Sequence, residues 1–164
     1  VLAKGGVFMT IAKRLKGFLE ENKASYEVLT HPEVYTAQEV AASLHVPGKE
    51  LAKVVVVKVG GRFILTVIPA SHKLDLKKLK GVFGGEKVEL ATEAEFKDLF
   101  PDCDPGSMPP FGNLYNLETY VDKALTEDEE IVFQAGTHMD TIKVRYKDFE
   151  RLAKPKISDF AIHL

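Results

Sequence analysis

Two segments of this 164-residue chain combine residue types that can stabilise a developing negative charge. The first is Pro105-Gly106-Ser107-Met108-Pro109-Pro110-Phe111-Gly112. Its glycines make the backbone permissive and its prolines stiffen it, so it can hold N–H groups against a carbonyl or phosphate oxygen. Loops of this composition are more often plain connections, and composition alone favours that reading. The second is Lys53, at the head of the apolar run Val54-Val55-Val56-Val57. A lysine there usually snorkels to solvent. The functional alternative is a fixed cation beside a cleft, binding a phosphate or an oxyanion.

Other chemistry is missing from the pattern. There is no G-x-S-x-G elbow, P-loop or dinucleotide fingerprint. The five histidines are scattered and Cys103 is the one cysteine, so no metal and no cofactor are expected. Ser107, His138 and Asp140 can be drawn as a triad, but three such residues arise easily by chance and nothing marks Ser107 as a strained nucleophile. A formal net charge of −2 argues against a general polyanion binder. A nucleic-acid partner therefore needs a local basic patch, and Lys73, Lys77, Lys78 and Lys80 form the densest. A solvated helix face is its default role, and a contact for a phosphate backbone is the sharper one.

Positioning these residues requires a folded α+β domain. Hydrophobic residues make up 45% and charged residues 28%, a balance that builds a core rather than a disordered chain. Thr10 can cap a helix with the stripe Ile11, Leu15, Phe18 and Leu19. Residues 25–29 read as a strand. Thr36 with Glu39, and Thr92 with Glu95, are capping boxes. Residues 54–59 and 63–68 form a hairpin around Gly60-Gly61, and the valine run predicts a central strand covered on both faces. Asp75 can cap a short helix carrying Leu76, Leu79 and Phe83. Residues 87–90, 113–121, 130–134 and 141–146 read as strands, and 148–153 as a closing helix. The expected architecture is one curved mixed sheet surrounded by helices. Met9 is the expected natural start, with residues 1–8 an extension. Residues 9–155 form the domain, and 156–164 a tail whose Ile157, Phe160 and Ile162 fold back. No apolar run has the length of a membrane span, and the single cysteine fits a reducing compartment.

Taken in order, several segments resemble the YbaK/EbsC family, the editing domains related to the one inserted in bacterial prolyl-tRNA synthetase. They are Tyr26…His31-Pro32…Thr36-Ala37, Ala52-Lys53, Val67-Ile68-Pro69-Ala70, the Gly106 to Gly112 loop, and Ala135-Gly136-Thr137. The resemblance covers about Met9 to Pro155. It implies a cytoplasmic, trans-acting aminoacyl-tRNA deacylase that hydrolyses the ester of a mischarged tRNA. In the family a lysine opening this strand is the key functional residue, which matches Lys53. The glycine-proline loop positions the terminal adenosine and the ester, with amides near Gly106 and Ser107 facing the oxyanion. Pro110, Gly112 and Gly136 complete the implied substrate site, together with residues that have a plainer alternative: Tyr26 in the core, His31 in a turn, Met108 and Phe111 packing the loop, and Thr137 and His138 in a solvated turn. Gln134 and Gly136 stand where alanine-clearing members tend to have histidine and asparagine. Thr141 stands where some cysteine-type members carry an acid. Cysteine, alanine, serine and threonine on proline tRNA or a related tRNA thus remain the candidate substrates. The implied partners are aminoacyl-tRNA and a synthetase, with no membrane and no DNA. The alternative is a non-catalytic module of the same fold that binds a tRNA end, a nucleotide or a protein.

Overall fold

The computed structural model describes residues 13–164. The expected cap Thr10, Ile11 and the segment 1–9 lie outside the described residues.

Local sequence signals set the elements. Helix α1 (Lys13–Glu21) buries Leu15 and Leu19, one turn apart, and leads into β1 (Tyr26–Thr30). Thr36 starts α2 (Ala37–Leu44): its hydroxyl accepts from the Glu39 N–H at 3.1 Å while the Glu39 carboxylate accepts from the Thr36 N–H at 3.0 Å. Two orphan donors of the first turn are thereby satisfied. Strands β2 (Leu51–Val59) and β3 (Arg62–Pro69) pair antiparallel around Gly60-Gly61. Short β4 (His72–Leu74) precedes α3 (Leu76–Val82), capped by the Asp75 carboxylate. Then come β5 (Val88–Leu90) and α4 (Glu93–Phe96), the latter started by the second capping box. The chain continues through β6 (Glu118–Asp122), β7 (Glu130–Gln134), β8 (Asp140–Arg145) and α5 (Tyr146–Ala153). It ends with β9 (Lys156–Ser158) and β10 (Ala161–His163).

The main sheet runs β1-β8-β7-β2-β3-β6-β9, with β5 also on β2, while β10 pairs with β4 in a separate ribbon. The sheet is mixed: β2–β7, β3–β6 and β6–β9 are parallel, the rest antiparallel. The α+β architecture with one mixed sheet is the one expected. Alternation along β2 sorts its side chains between two faces. Ala52, Val54 and Val56 join Leu15, Leu19 and Phe149 on one side. On the other side, Val57 and Val59 pack with Leu79 of α3, whereas Leu51 packs with Val40 and Ala41 of α2. The valine run is therefore covered on both faces.

One edge of β2 is discontinuous. It pairs with β7 through Leu51 and Ala52 and with β5 through Val57 to Val59. Among the described residues, 53–55 between these stretches pair with no strand on that edge.

The expected single strand 113–121 is corrected. A 3-10 turn spans Gly112–Tyr115, and β6 begins only at Glu118. The cause is local: the Leu117 N–H closes back onto the Gly112 carbonyl at 2.9 Å, and the Gly112 N–H donates to the Thr119 hydroxyl at 2.9 Å. Residues 156–164 contribute β9 and β10. Phe160 is buried, but Ile157 is half exposed. The buried Asp122 carboxylate accepts from the N–H groups of Phe160 and Ala161 at 2.8 and 2.9 Å.

A Cβ added at Gly112 would stand 2.5 Å from the Thr119 Oγ1 and 2.6 Å from the Leu117 carbonyl oxygen. Backbone cannot give way as a flexible side chain can. Gly112→Ala is expected to lose about 1–3 kcal/mol of stability, read as a lower urea midpoint at unchanged slope.

Candidate active site

Lys53 occupies the discontinuity. It lies between Leu51, which belongs to the cluster under α2, and Val55, which packs against the cluster under α3. Its side chain is half-buried, and burial alone pulls its pKa below the ordinary lysine value. Among the described residues no carboxylate pairs with it. A half-buried ammonium without an acid beside it is free to meet an anion. Its charge reaches His72 of β4, whose pKa is lowered first by burial and then by the neighbouring His163 and Lys53.

The parallel register brings the end of β7 to the same place. With Leu51 opposite Val132 and Ala52 opposite Phe133, the next step sets Lys53 beside Gln134. Just beyond, Gly136 takes a φ of 103° and binds the glycine-proline loop twice. Its N–H donates to the Ser107 carbonyl at 2.9 Å, and its carbonyl accepts from the Asp104 N–H at 2.8 Å. Gly106, at φ 88°, lies beneath the His138 ring, whose Cε1 is 3.7 Å from where a Cβ would stand. His138 packs edge-on against Tyr35 at 4.7 Å. His31 is tied to the same turn by its N–H, which donates to the Met139 carbonyl at 2.9 Å. Lys53, His31, Gly106, Ser107, Gly136, Thr137 and His138 are thus linked around one end of β7 and β8.

Three buried polar atoms in this region have no hydrogen-bond partner: His31 Nε2, Gln134 Nε2 and His138 Nδ1. His31 Nδ1 is 2.7 Å from the Pro32 carbonyl and so carries the proton, which leaves Nε2 as an acceptor. The Thr137 hydroxyl donates to Asp140 at 2.8 Å and accepts from the Met139 and Asp140 N–H groups.

Several sequence expectations need correction. The Ser107 N–H donates to the Asp104 carbonyl and the Gly106 N–H to the Met108 sulfur, so neither amide is free for an oxyanion. The amides of Thr137 and His138, by contrast, have no partner among the described residues. The Ser107 hydroxyl is buried and donates to the Asp104 carbonyl at 2.7 Å, the geometry of a loop staple. Met108 and Phe111 are buried in the large core cluster, Pro110 is buried, and Gly112 packs against Thr119, so these residues anchor the loop. Tyr26 stands at the far end of β1, about 13 Å of strand from Thr30. Its hydroxyl donates to Glu20 at 2.8 Å. Tyr35 and the Gln134 side chain were not singled out as site residues. Tyr35 gave no signal because its contact with His138 spans about a hundred residues of chain. In the basic patch, Lys78 is paired with Asp159 at 3.2 Å, whereas Lys73, Lys77 and Lys80 are exposed without ion pairs among the described residues.

Residues 31–152 match the aminoacyl-tRNA editing domain family. The chain belongs to that family. The editing-family match contains Lys53, the glycine-proline loop and the Gly136 turn. The chain is 30% identical over 164 residues to the multifunctional Ser/Thr-tRNA deacylase ProXp-y of Escherichia coli K12, covering 97% of this chain and 96% of that protein. It is 37% identical over 121 residues to a proline–tRNA ligase of Staphylococcus epidermidis, covering 73% of this chain but 21% of the ligase. It therefore spans about a fifth of the ligase's length. A solved structure of a candidate trans-editing enzyme for prolyl tRNA synthetase superposes with a TM-score of 0.81 at 24% identity, over 92% of this chain and 96% of that one, and shares the fold.

The lowered pKa of Lys53 fixes a stability sign. Below its folded pKa the charged side chain is held at a cost, and that cost disappears as pH rises through the folded pKa towards the unfolded value. Lys53→Met, which keeps the stem and removes the charge, is expected to melt at or above the parent temperature at pH 7. Differential scanning calorimetry checks this, and a clearly lower midpoint would mean that Lys53 supports the fold.

Proposed function

We propose that this protein hydrolyses, in trans, the ester joining a small amino acid to a mischarged tRNA. The observation that carries this reading is the unpaired, half-buried Lys53 cation at the break in β2, beside the Gly136 turn. An aminoacyl ester is already activated, so positioning and charge stabilisation supply most of the catalysis. Water adds to the ester carbonyl carbon, and the carbonyl oxygen becomes an oxyanion. The ribose oxygen then leaves with a proton. Lys53 binds the terminal phosphate or the developing oxyanion. The amides of Thr137 and His138 are the donors to that oxyanion, in place of Gly106 and Ser107.

For the amino acid we favour serine or threonine. The Gln134 amide nitrogen is buried without an acceptor, so a substrate hydroxyl would satisfy it while alanine would leave it unpaired. The name of the E. coli relative points the same way. The tRNA approaches over α3, which packs on the face of the sheet that bears Lys53. Lys73, Lys77 and Lys80 meet its phosphates there. Proline tRNA or a related tRNA is the carrier, a synthetase is the further partner, and the cytoplasm is the place of action. Among the described residues no helix is long and apolar enough to cross a membrane.

The test is release of labelled amino acid from seryl-, threonyl-, alanyl- and cysteinyl-tRNA. Hydroxyl amino acids should be released fastest. Lys53→Met should lower the rate about a hundredfold or more, the scale of one preorganised charge acting on a transition state. A folded variant of near-parental activity would sink the assignment, and binding of tRNA without any hydrolysis would favour the non-catalytic module.

Docking can be separated from chemistry. Replacing Lys73, Lys77 and Lys80 by Ala should weaken tRNA binding and flatten its salt dependence, since each lost phosphate contact removes released counterions. Hydrolysis of a minimal aminoacyl-adenosine should be unchanged. Equal losses on both substrates would show that the lysines act on the site itself.

A further inference from the structure

β7 and β8 also carry a cleft at their opposite end, where Glu130 pairs with Arg145. Its volume is about 450 Å³, within the roughly 300–1,000 Å³ common for small-molecule sites. Two of its lining side chains, Asp128 and Tyr146, are 8% and 5% exposed. Among the described residues Asp128 Oδ2 is a buried oxygen without a hydrogen-bond partner, and the Tyr146 hydroxyl beside it has only the Glu150 carboxylate to donate to, which leaves its lone pairs unmet. A buried acceptor left unpaired costs about 1–3 kcal/mol and more when charged, so a carboxylate oxygen of this kind lining a cleft needs a reason.

The surrounding charge indicates what is missing. Glu129 and Glu150 line the same cleft, and the charges of Glu50 and Glu127 also bear on Asp128. The opposing cations are Lys49, Lys147 and Arg145, and Arg145 is already engaged by Asp148 at 3.5 Å. Burial first, then Glu50 and Glu127, push Asp128 up to about 6 against the pull of Lys49. Burial first, then the hydrogen bond to Glu150 and its charge, raise the Tyr146 hydroxyl, so that group stays protonated and can still accept from an N–H donor. No group of three His, Cys, Asp or Glu side chains among the described residues is arranged to hold a metal ion. A buried carboxylate among further acids suits a cation that brings its own N–H donors.

We propose that this cleft binds a small alkyl diamine, one ammonium donating to Asp128 Oδ2 and the Tyr146 hydroxyl and the other facing Glu129 and Glu150. A charge-assisted hydrogen bond to a desolvated carboxylate is among the stronger polar contacts. The second ammonium meets the remaining acids of the wall. This site is separate from the Lys53 region, about 13 Å away along β7, and its occupancy does not depend on the deacylase reading.

Isothermal titration of the full chain with 1,4-diaminobutane at pH 8 and low salt tests the proposal. One saturable site is expected, with binding about tenfold weaker at pH 5, where Asp128 is mostly protonated. Tetramethylammonium, a cation without N–H groups, should not compete. Asp128→Asn should weaken binding at least tenfold while melting at or above the parent temperature at pH 8, because it removes a buried unpaired charge. Tyr146→Phe should weaken it several-fold and serves as the second variant should Asp128→Asn fold poorly. Absence of saturable binding, equal competition by tetramethylammonium, or unchanged affinity in folded Asp128→Asn and Tyr146→Phe would each overturn it. Binding of an N-acetyl-lysine amide without binding of the diamine would overturn it in favour of a protein lysine as the occupant.

Discussion

Parallel pairing between β2 and β7 lasts for two residues, Leu51 opposite Val132 and Ala52 opposite Phe133. Beyond that point β2 continues, while β7 has only Gln134 left before it ends. If β7 ran on, Lys53 would stand in a closed sheet between two strands, where a lysine with no acid beside it would be driven to neutrality or expelled. Because β7 ends at Gln134, the chain can turn at Gly136 and dock the glycine-proline loop. The Lys53 side chain is thereby left half-buried rather than enclosed between strands. The two backbone bonds from Gly136 to Asp104 and Ser107 hold that arrangement. They explain why Ser107 is buried and why its hydroxyl is spent inside the loop.

Lys53 also stands where the packing changes partner. On the face that bears Lys53, one cluster gathers under α2 and another under α3. Neither covers the lysine fully. A single helix across the whole face would bury it. With two clusters on this face, Lys53 falls between them, and it is the one position of β2 that carries a charge on this face. The helices are held apart by chain order: α2 precedes β2, whereas α3 follows the β3–β4 segment. Connectivity therefore contributes to the site as much as residue type does.

How much of this was legible in the sequence follows from the range of each interaction. The capping boxes at Thr36 and Thr92 could be read because both partners lie within four residues. The β2–β3 hairpin could be read because its turn residues are adjacent. Lys53 stood out because a charge at the head of a valine run is locally anomalous. The ribbon of β4 and β10, the break in β2 and the Tyr35–His138 contact join residues far apart in the chain, and no local pattern encodes them. The misreading of residues 113–121 has the same origin. Their composition suits a strand, but the fit of Gly112 against Thr119 and Leu117 folds the first half into a turn. For Met108 and Phe111 composition left a pocket wall and a packed loop equally open, and burial in the large core cluster is the part that only the structure supplies.

Burial without a partner is distributed unevenly, and the distribution is itself informative. Five buried side-chain atoms among the described residues have hydrogen-bonding capacity left unmet. His31 Nε2, Gln134 Nε2 and His138 Nδ1 gather where β7 ends. Asp128 Oδ2 and the Tyr146 hydroxyl gather where it begins. At about 1–3 kcal/mol for each unmet group, their combined cost is comparable with the whole net stability of a domain of this size. The apolar clusters on both faces of the sheet must offset it. These groups lie at the two ends of one strand pair, whereas defects of packing would scatter, and a ligand that met them there would recover stability that folding alone leaves unrealised.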